Sequence, residues 1–102
     1  MSNTRQTILD IAMNLTRIGN WAADDFAGKQ KRIQQFLMQT DGYLSTISVT
    51  QLPPKLSSTM TRFINEYCQC NTVTSIVNPS DWADIMLTWG IILTHRAKLL
   101  TS

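Results

Sequence analysis

The apolar positions of this chain recur at helical spacing in separate runs divided by polar or proline-bearing breaks. Ile8, Ile11, Ala12, Leu15 and Ile18 fall three or four apart, which at about 100° per residue gathers them on one helix face. Ser2, Asn3 and Thr4 precede that run and offer a cap for its first turn. The triplet "IGN" at 18–20 predicts a stop. Gly19 suits a left-handed C-terminal cap, and Asn20 can cap a new helix at once, with Asp24 and Asp25 near its positive end. The second run carries Phe26, Ile33, Phe36, Leu37, Leu44 and Ile47 and keeps the phase of the first. Two arrangements follow: helices over 4–18 and 21–48 broken at Gly19–Asn20, or one continuous rod of roughly 60 Å. The break is preferred, because few helices in compact domains run that far. Asp41–Gly42 marks a second soft point.

"TQLPPKLSS" at 50–58 is the firmest punctuation, since paired prolines cannot continue a helix and the residue before a proline avoids helical angles. A third helix over 56–70 follows, with Leu56, Met60, Phe63, Tyr67 and Cys70 spaced four, three, four and three. "NTVTSIVNPS" at 71–80 reads as a loop with a short extended piece. Ser80 or Asn78 then opens a fourth helix over 80–99, with Asp81 and Asp84 in its first turn. No strand pattern, internal repeat or flexible linker interrupts the series. The expectation is an all-α protein, a small antiparallel four-helix bundle forming one helical domain over 1–102.

The fourth helix raises the question that matters for function: it is apolar on more than one side. With Trp82 at the origin of a helical wheel, Ile85, Met86, Trp89, Ile92, Leu93 and Leu100 fall within about 80° of it. That is the expected core face. Leu87 and Ile91 point elsewhere, near 140° and 180°, and are flanked by Asp84, Thr94, His95 and Lys98. Such a pair with a polar surround is a candidate contact patch. The alternatives are cover from the chain itself, with Ile76 and Val77 as the nearest candidates, or ordinary exposure. Arg96 projects near 320°, so its stem lies along the apolar face. An enclosed Arg96 needs an acidic partner such as Glu66 or Asp41; an open one snorkels and complements the helix C-terminus.

Composition narrows the functional classes. The chain has 102 residues, 43% hydrophobic, with nine Lys or Arg against seven Asp or Glu and a net charge of +2. That charge is too slight to argue for nucleic acid or an anionic membrane, and "KQKR" at 29–32 reads as a solvated face. The start "MSNTRQTILDIAMN" lacks the unbroken apolar core of a signal peptide. The apolar run at 85–93 is less than half of the roughly 20 residues a membrane span needs. A cytoplasmic location is expected, with Cys68 and Cys70 as free thiols.

Chemistry is sparse. Cys68 and Cys70, two apart on a helix, diverge by about 200° and cannot close on one ion. His95 is the sole histidine, so no cofactor or metal site is expected. There is no Gly-x-Ser-x-Gly elbow and no Gly-rich phosphate loop. His95 is followed directly by Arg96, with no Arg a turn or two upstream, so the Arg-gap-His pattern of toxin-type helical ribonucleases is not met. Paired Asp24 and Asp25 read as capping residues. Two functional readings remain. In the first, a non-catalytic protein forms a homodimer or docks on a partner protein, with Leu87 and Ile91 at the centre and Asp84, His95 and Lys98 at the rim. In the second, a helical bundle binds an apolar or anionic small ligand in a pocket lined by Trp82, Met86, Trp89, Phe63 and Tyr67 and closed by Arg96.

Overall fold

Among the described residues of a computed structural model, which are 4–70 and 78–100 with the side chains at 69 and 70 excepted, four α-helices and two short 3₁₀ turns account for most positions. Helix α1 spans Thr4–Asp25, α2 Gln30–Leu44, α3 Pro54–Cys70 and α4 Pro79–Arg96. The 3₁₀ turns are Val49–Gln51 before α3 and Ala97–Leu99 after α4. Among the described residues there is no strand, and the expected all-α bundle is the fold. The residues at 71–77, expected as a loop and including Ile76 and Val77, lie outside the described set.

The first break falls later than the pattern predicts. Helix α1 runs straight through Gly19 and Asn20, and among the described residues no glycine has a positive φ, so Gly19 is no left-handed cap. The reason is packing. A β-carbon placed on Gly19 would lie 2.6 Å from Leu87 Cγ and 3.1 Å from the Ala83 carbonyl oxygen, so α4 lies against the bare backbone there. The chain instead turns over 26–29. Asp25 marks that turn: its Oδ1 accepts the Gly28 N–H at 3.0 Å, so it closes α1 rather than opening the next helix. Neither the break at Gly19–Asn20 nor a continuous rod is formed. Gly42 stays inside α2, which ends two residues on at Leu44 rather than at 48.

Helix α4 opens as its sequence announces. Asn78 is extended, and its side chain accepts the N–H groups of Ser80 and Asp81 at 3.1 and 3.2 Å, with Pro79 in the first helical position. Asp81 and the Arg96–His95 pair sit at the ends that the helix dipole favours.

Helix α1 is flanked by α2 and α4. It runs antiparallel to α4: Gly19 faces Ala83 and Leu87, whereas Gly90 faces Ala12 and Thr16. It runs antiparallel to α2 as well, Asn14 reaching Thr40 and Trp21 stacking edge-on against Phe36 at 4.9 Å. The core is built from Ile8, Ile11, Leu15 and Ile18 of α1, Ile33 and Leu37 of α2, Leu56, Met60, Phe63 and Tyr67 of α3, and Trp82, Met86, Trp89 and Leu93 of α4. Two polar devices fix the register. Buried Asn14 donates to Gln39 Oε1 at 3.2 Å and Thr40 Oγ1 at 3.4 Å. Buried Tyr67 donates to the Leu37 carbonyl at 3.1 Å and to Asp41 Oδ1 at 2.9 Å, tying α3 to α2.

Candidate functional site

The second apolar side of α4 has a cause within the chain. Ala83, Gly90 and Ala97, seven apart, are buried together with Trp82, Met86, Trp89 and Leu93. The buried arc of the wheel is therefore centred about 40° away from Trp82, on the side of the small residues. Ile85 and Ile92, expected in the core face, are only partly buried at its other margin, and Leu100, also partly buried, lies past the end of the helix. Large side chains fill the centre of the bundle, while small ones let α1 approach closely. A β-carbon on Gly90 would stand 2.6 Å from Thr16 Oγ1 and 3.1 Å from the Ala12 carbonyl oxygen.

This arrangement divides the expected contact patch. Leu87 is half-buried, its branched end lying over Gly19, and it belongs to the α1–α4 seam. Cover comes from α1. Ile91 stays open at 61% of its full exposure, and Asp84, His95 and Lys98 are exposed around it. A shallow depression of about 160 Å³ lies beside it, lined by Thr16, Gly90, Ile91, Thr94 and His95. Met13 of α1, three residues before Thr16, is half exposed. The face is thus Ile91 with a polar rim, and Leu87 serves as its buttress.

The expected ligand pocket divides as well. Phe63 packs on Trp89 with ring centroids 5.4 Å apart and on Tyr67 at 5.3 Å. Trp82 meets Phe26 edge-on at 6.1 Å. Phe63, Tyr67, Trp82, Trp89 and Met86 are buried in the core, and Phe26 is partly buried against it. No buried side-chain nitrogen or oxygen among the described residues is without a hydrogen-bond partner, so none waits in the core for a ligand's polar group. Burial and the Asp41 carboxylate push the Tyr67 hydroxyl far above the ordinary tyrosine range, so it stays protonated as a donor.

Arg96 is exposed and forms no ion pair among the described residues, and Asp41 is occupied by Tyr67. The guanidinium belongs to an open cleft between α3 and α4 of about 330 Å³, lined by Thr59, Arg62, Glu66, Thr88, Trp89, Ile92 and Arg96. A second depression toward the start of α3 shares Thr59, Arg62 and Arg96 and adds Pro54, Lys55 and Ser58. Of the residues expected to line a ligand pocket, Trp89 and Arg96 meet in this surface cleft. Lys55, Ser58, Thr59 and Arg62 lie on the polar side of α3, which apolar periodicity does not mark.

The remaining candidates for chemistry are dispersed. Among the described residues no three His, Cys, Asp or Glu side chains come together to hold a metal ion. Cys68 is exposed in the last turn of α3; the Cys70 side chain lies outside the described set. Within "KQKR", Arg32 stacks over the Trp21 ring at 5.9 Å, matched by Arg17 over Phe36 at 5.9 Å, so two of the basic residues stiffen the α1–α2 surface. None of the described helices is long and apolar enough to cross a membrane. No known family model, curated protein or solved structure matches the chain.

Proposed function

We propose that this chain works by contact rather than by chemistry, as a small cytoplasmic helical protein that self-associates or docks on another protein through the outer face of α4. The observation that carries this reading is Ile91. It is a β-branched aliphatic at 61% exposure, on a helix whose other large apolar side chains are covered at least in part. A depression and a polar rim of Asp84, Thr94, His95 and Lys98 adjoin it. The test is solution mass by light scattering across a concentration series, for the wild type and for Ile91→Glu. Ile91 packs into no core, so the variant keeps its fold. Association that Ile91→Glu abolishes supports the reading, and association that it leaves untouched overturns it.

The α3–α4 cleft favours a second reading, capture of an anionic small molecule with an apolar part. Arg62 and Arg96 outnumber the one carboxylate of the lining, Glu66, while Thr59 and Thr88 supply hydroxyls and Trp89 with Ile92 an apolar floor. Octanoate, titrated while tryptophan emission is followed, separates this from the first reading. A saturable change lost in Arg96→Ala supports it; flat emission to millimolar octanoate removes it.

A further inference from the structure

The exposed face of α4 carries its charges in a self-complementary order. Asp84, Ile91 and Lys98 are spaced seven and seven, so they form one stripe that drifts by only about 20° per heptad. All three are exposed. Lys98 follows in the 3₁₀ turn that continues α4 directly. Asp84 stands roughly 10 Å before Ile91 along the helix, and Lys98 stands about as far beyond it.

We infer that the occupant of this face is a second copy of the chain, packed α4 against α4 in antiparallel sense about a twofold axis at Ile91. The inference rests on the contact reading above. The sign of the charges decides the orientation. In the antiparallel register each Asp84 faces the partner's Lys98, giving two attractive pairs, one on each side of an Ile91–Ile91 centre. In a parallel register Asp84 would face Asp84 and Lys98 would face Lys98, repelling at both ends. Antiparallel helix dipoles act in the same direction. The isologous geometry also needs no second kind of surface, since one patch meets its own copy.

The experiment is a charge-reversal cycle in the full chain, read as the dimer dissociation constant by sedimentation equilibrium at low ionic strength. Each single reversal, Asp84→Lys or Lys98→Glu, turns two attractive pairs into two repulsive ones and should weaken the dimer about tenfold. The double variant D84K/K98E recreates both pairs with their signs exchanged and should return to within about twofold of wild type. Circular dichroism confirms that these surface variants fold. If Ile91→Glu dissociates the dimer but the single reversals do not, the register is wrong and the contact reading stands. If both reversals weaken the dimer and the double variant does not recover, the antiparallel pairing is overturned. A wild type that stays monomeric at the highest concentration overturns the second copy as occupant, and a dimer indifferent to Ile91→Glu overturns both this inference and the reading beneath it.

Discussion

Gly90→Ala is the sharpest test of how α1 and α4 meet. In the interior of an exposed helix, replacing glycine by alanine stabilises by up to about 1 kcal/mol, because alanine loses less backbone freedom on folding. At Gly90 the added methyl would stand 2.6 Å from Thr16 Oγ1 and 3.1 Å from the Ala12 carbonyl oxygen. Thr16 cannot simply rotate away, since its hydroxyl is committed to that same carbonyl at 3.0 Å. The helices must separate, and overpacking of this kind costs about 1–3 kcal/mol. The cost exceeds the gain, so Gly90→Ala should destabilise by about 1 kcal/mol net, a fall of roughly 4–8 °C in a domain of this size. Gly42 is the internal control. It is helical with nothing within 4 Å of a β-carbon, so Gly42→Ala should stabilise by about 0.5 kcal/mol near the frayed end of α2. Thr16→Ala removes the nearest obstacle and leaves the Ala12 oxygen, so in that background the penalty of Gly90→Ala should shrink by about 1 kcal/mol. Urea unfolding of the four members of the cycle measures this. If Gly90→Ala stabilises as Gly42→Ala does, or if Thr16→Ala leaves its penalty unchanged, the close approach of α1 and α4 is not where the chain spends its glycine.

Two further perturbations probe the polar fastenings. Tyr67→Phe removes the donor to Leu37 and Asp41 and should cost about 1–1.5 kcal/mol by denaturant titration. The Tyr67 pKa is raised above its ordinary value of 10.0, so its stabilisation is complete below about pH 10 and is lost as pH rises beyond it. Tyr67→Phe should therefore flatten the alkaline limb of stability against pH, and equal slopes for the two proteins would refute that role. Asn78→Ala strips the cap from Ser80 and Asp81 and should lower stability by about 1 kcal/mol, whereas Asn78→Ser or Asn78→Asp should lose a few tenths.

Helix number and type were legible because a 3.6-residue period survives any tertiary detail. The position of the first break was not. Glycine serves equally as a left-handed cap and as a bare surface for a neighbouring helix, and only the neighbour distinguishes them; Gly19 has Leu87 over it, whereas Gly28 has the Asp25 carboxylate. A readable hint existed in "DDFAG", an Asp three residues before a glycine, which is a common turn signature. The wheel of α4 misled in another way. Taking Trp82 as its origin put the centre of the core face on the tryptophans, yet Ala83, Gly90 and Ala97 at heptad spacing form as true a buried edge as the rings do. Asn14 sits among apolar neighbours, which is what a buried polar contact between helices looks like in sequence, but its partners Gln39 and Thr40 are 25 and 26 residues away and carry no local mark. At the candidate site, the polar rim and Ile91 follow from the wheel alone. The fate of Leu87 depended on which glycine lay opposite.

The size of the remaining face limits how strong any self-association can be. Burying a whole aliphatic side chain is worth about 1.5–3 kcal/mol, and Ile91 is already partly covered, so the two copies together bring roughly 2–4 kcal/mol. Four charges in two exposed pairs add about 0.2–1 kcal/mol for each pair. Against this stands a cost of at least about 4 kcal/mol for lost rotational and translational freedom. Met13, at 50% exposure on the adjacent helix, is the main apolar reserve from which a surplus has to come. On these figures a dimer built this way should have a dissociation constant on the order of 1 mM or weaker, and that constant should rise with salt as the charge pairs are screened. A nanomolar dimer would contradict this argument, because α4 leaves too little apolar surface to produce one. The interface would then have to include a second face, with the α3–α4 cleft the nearest that has the breadth.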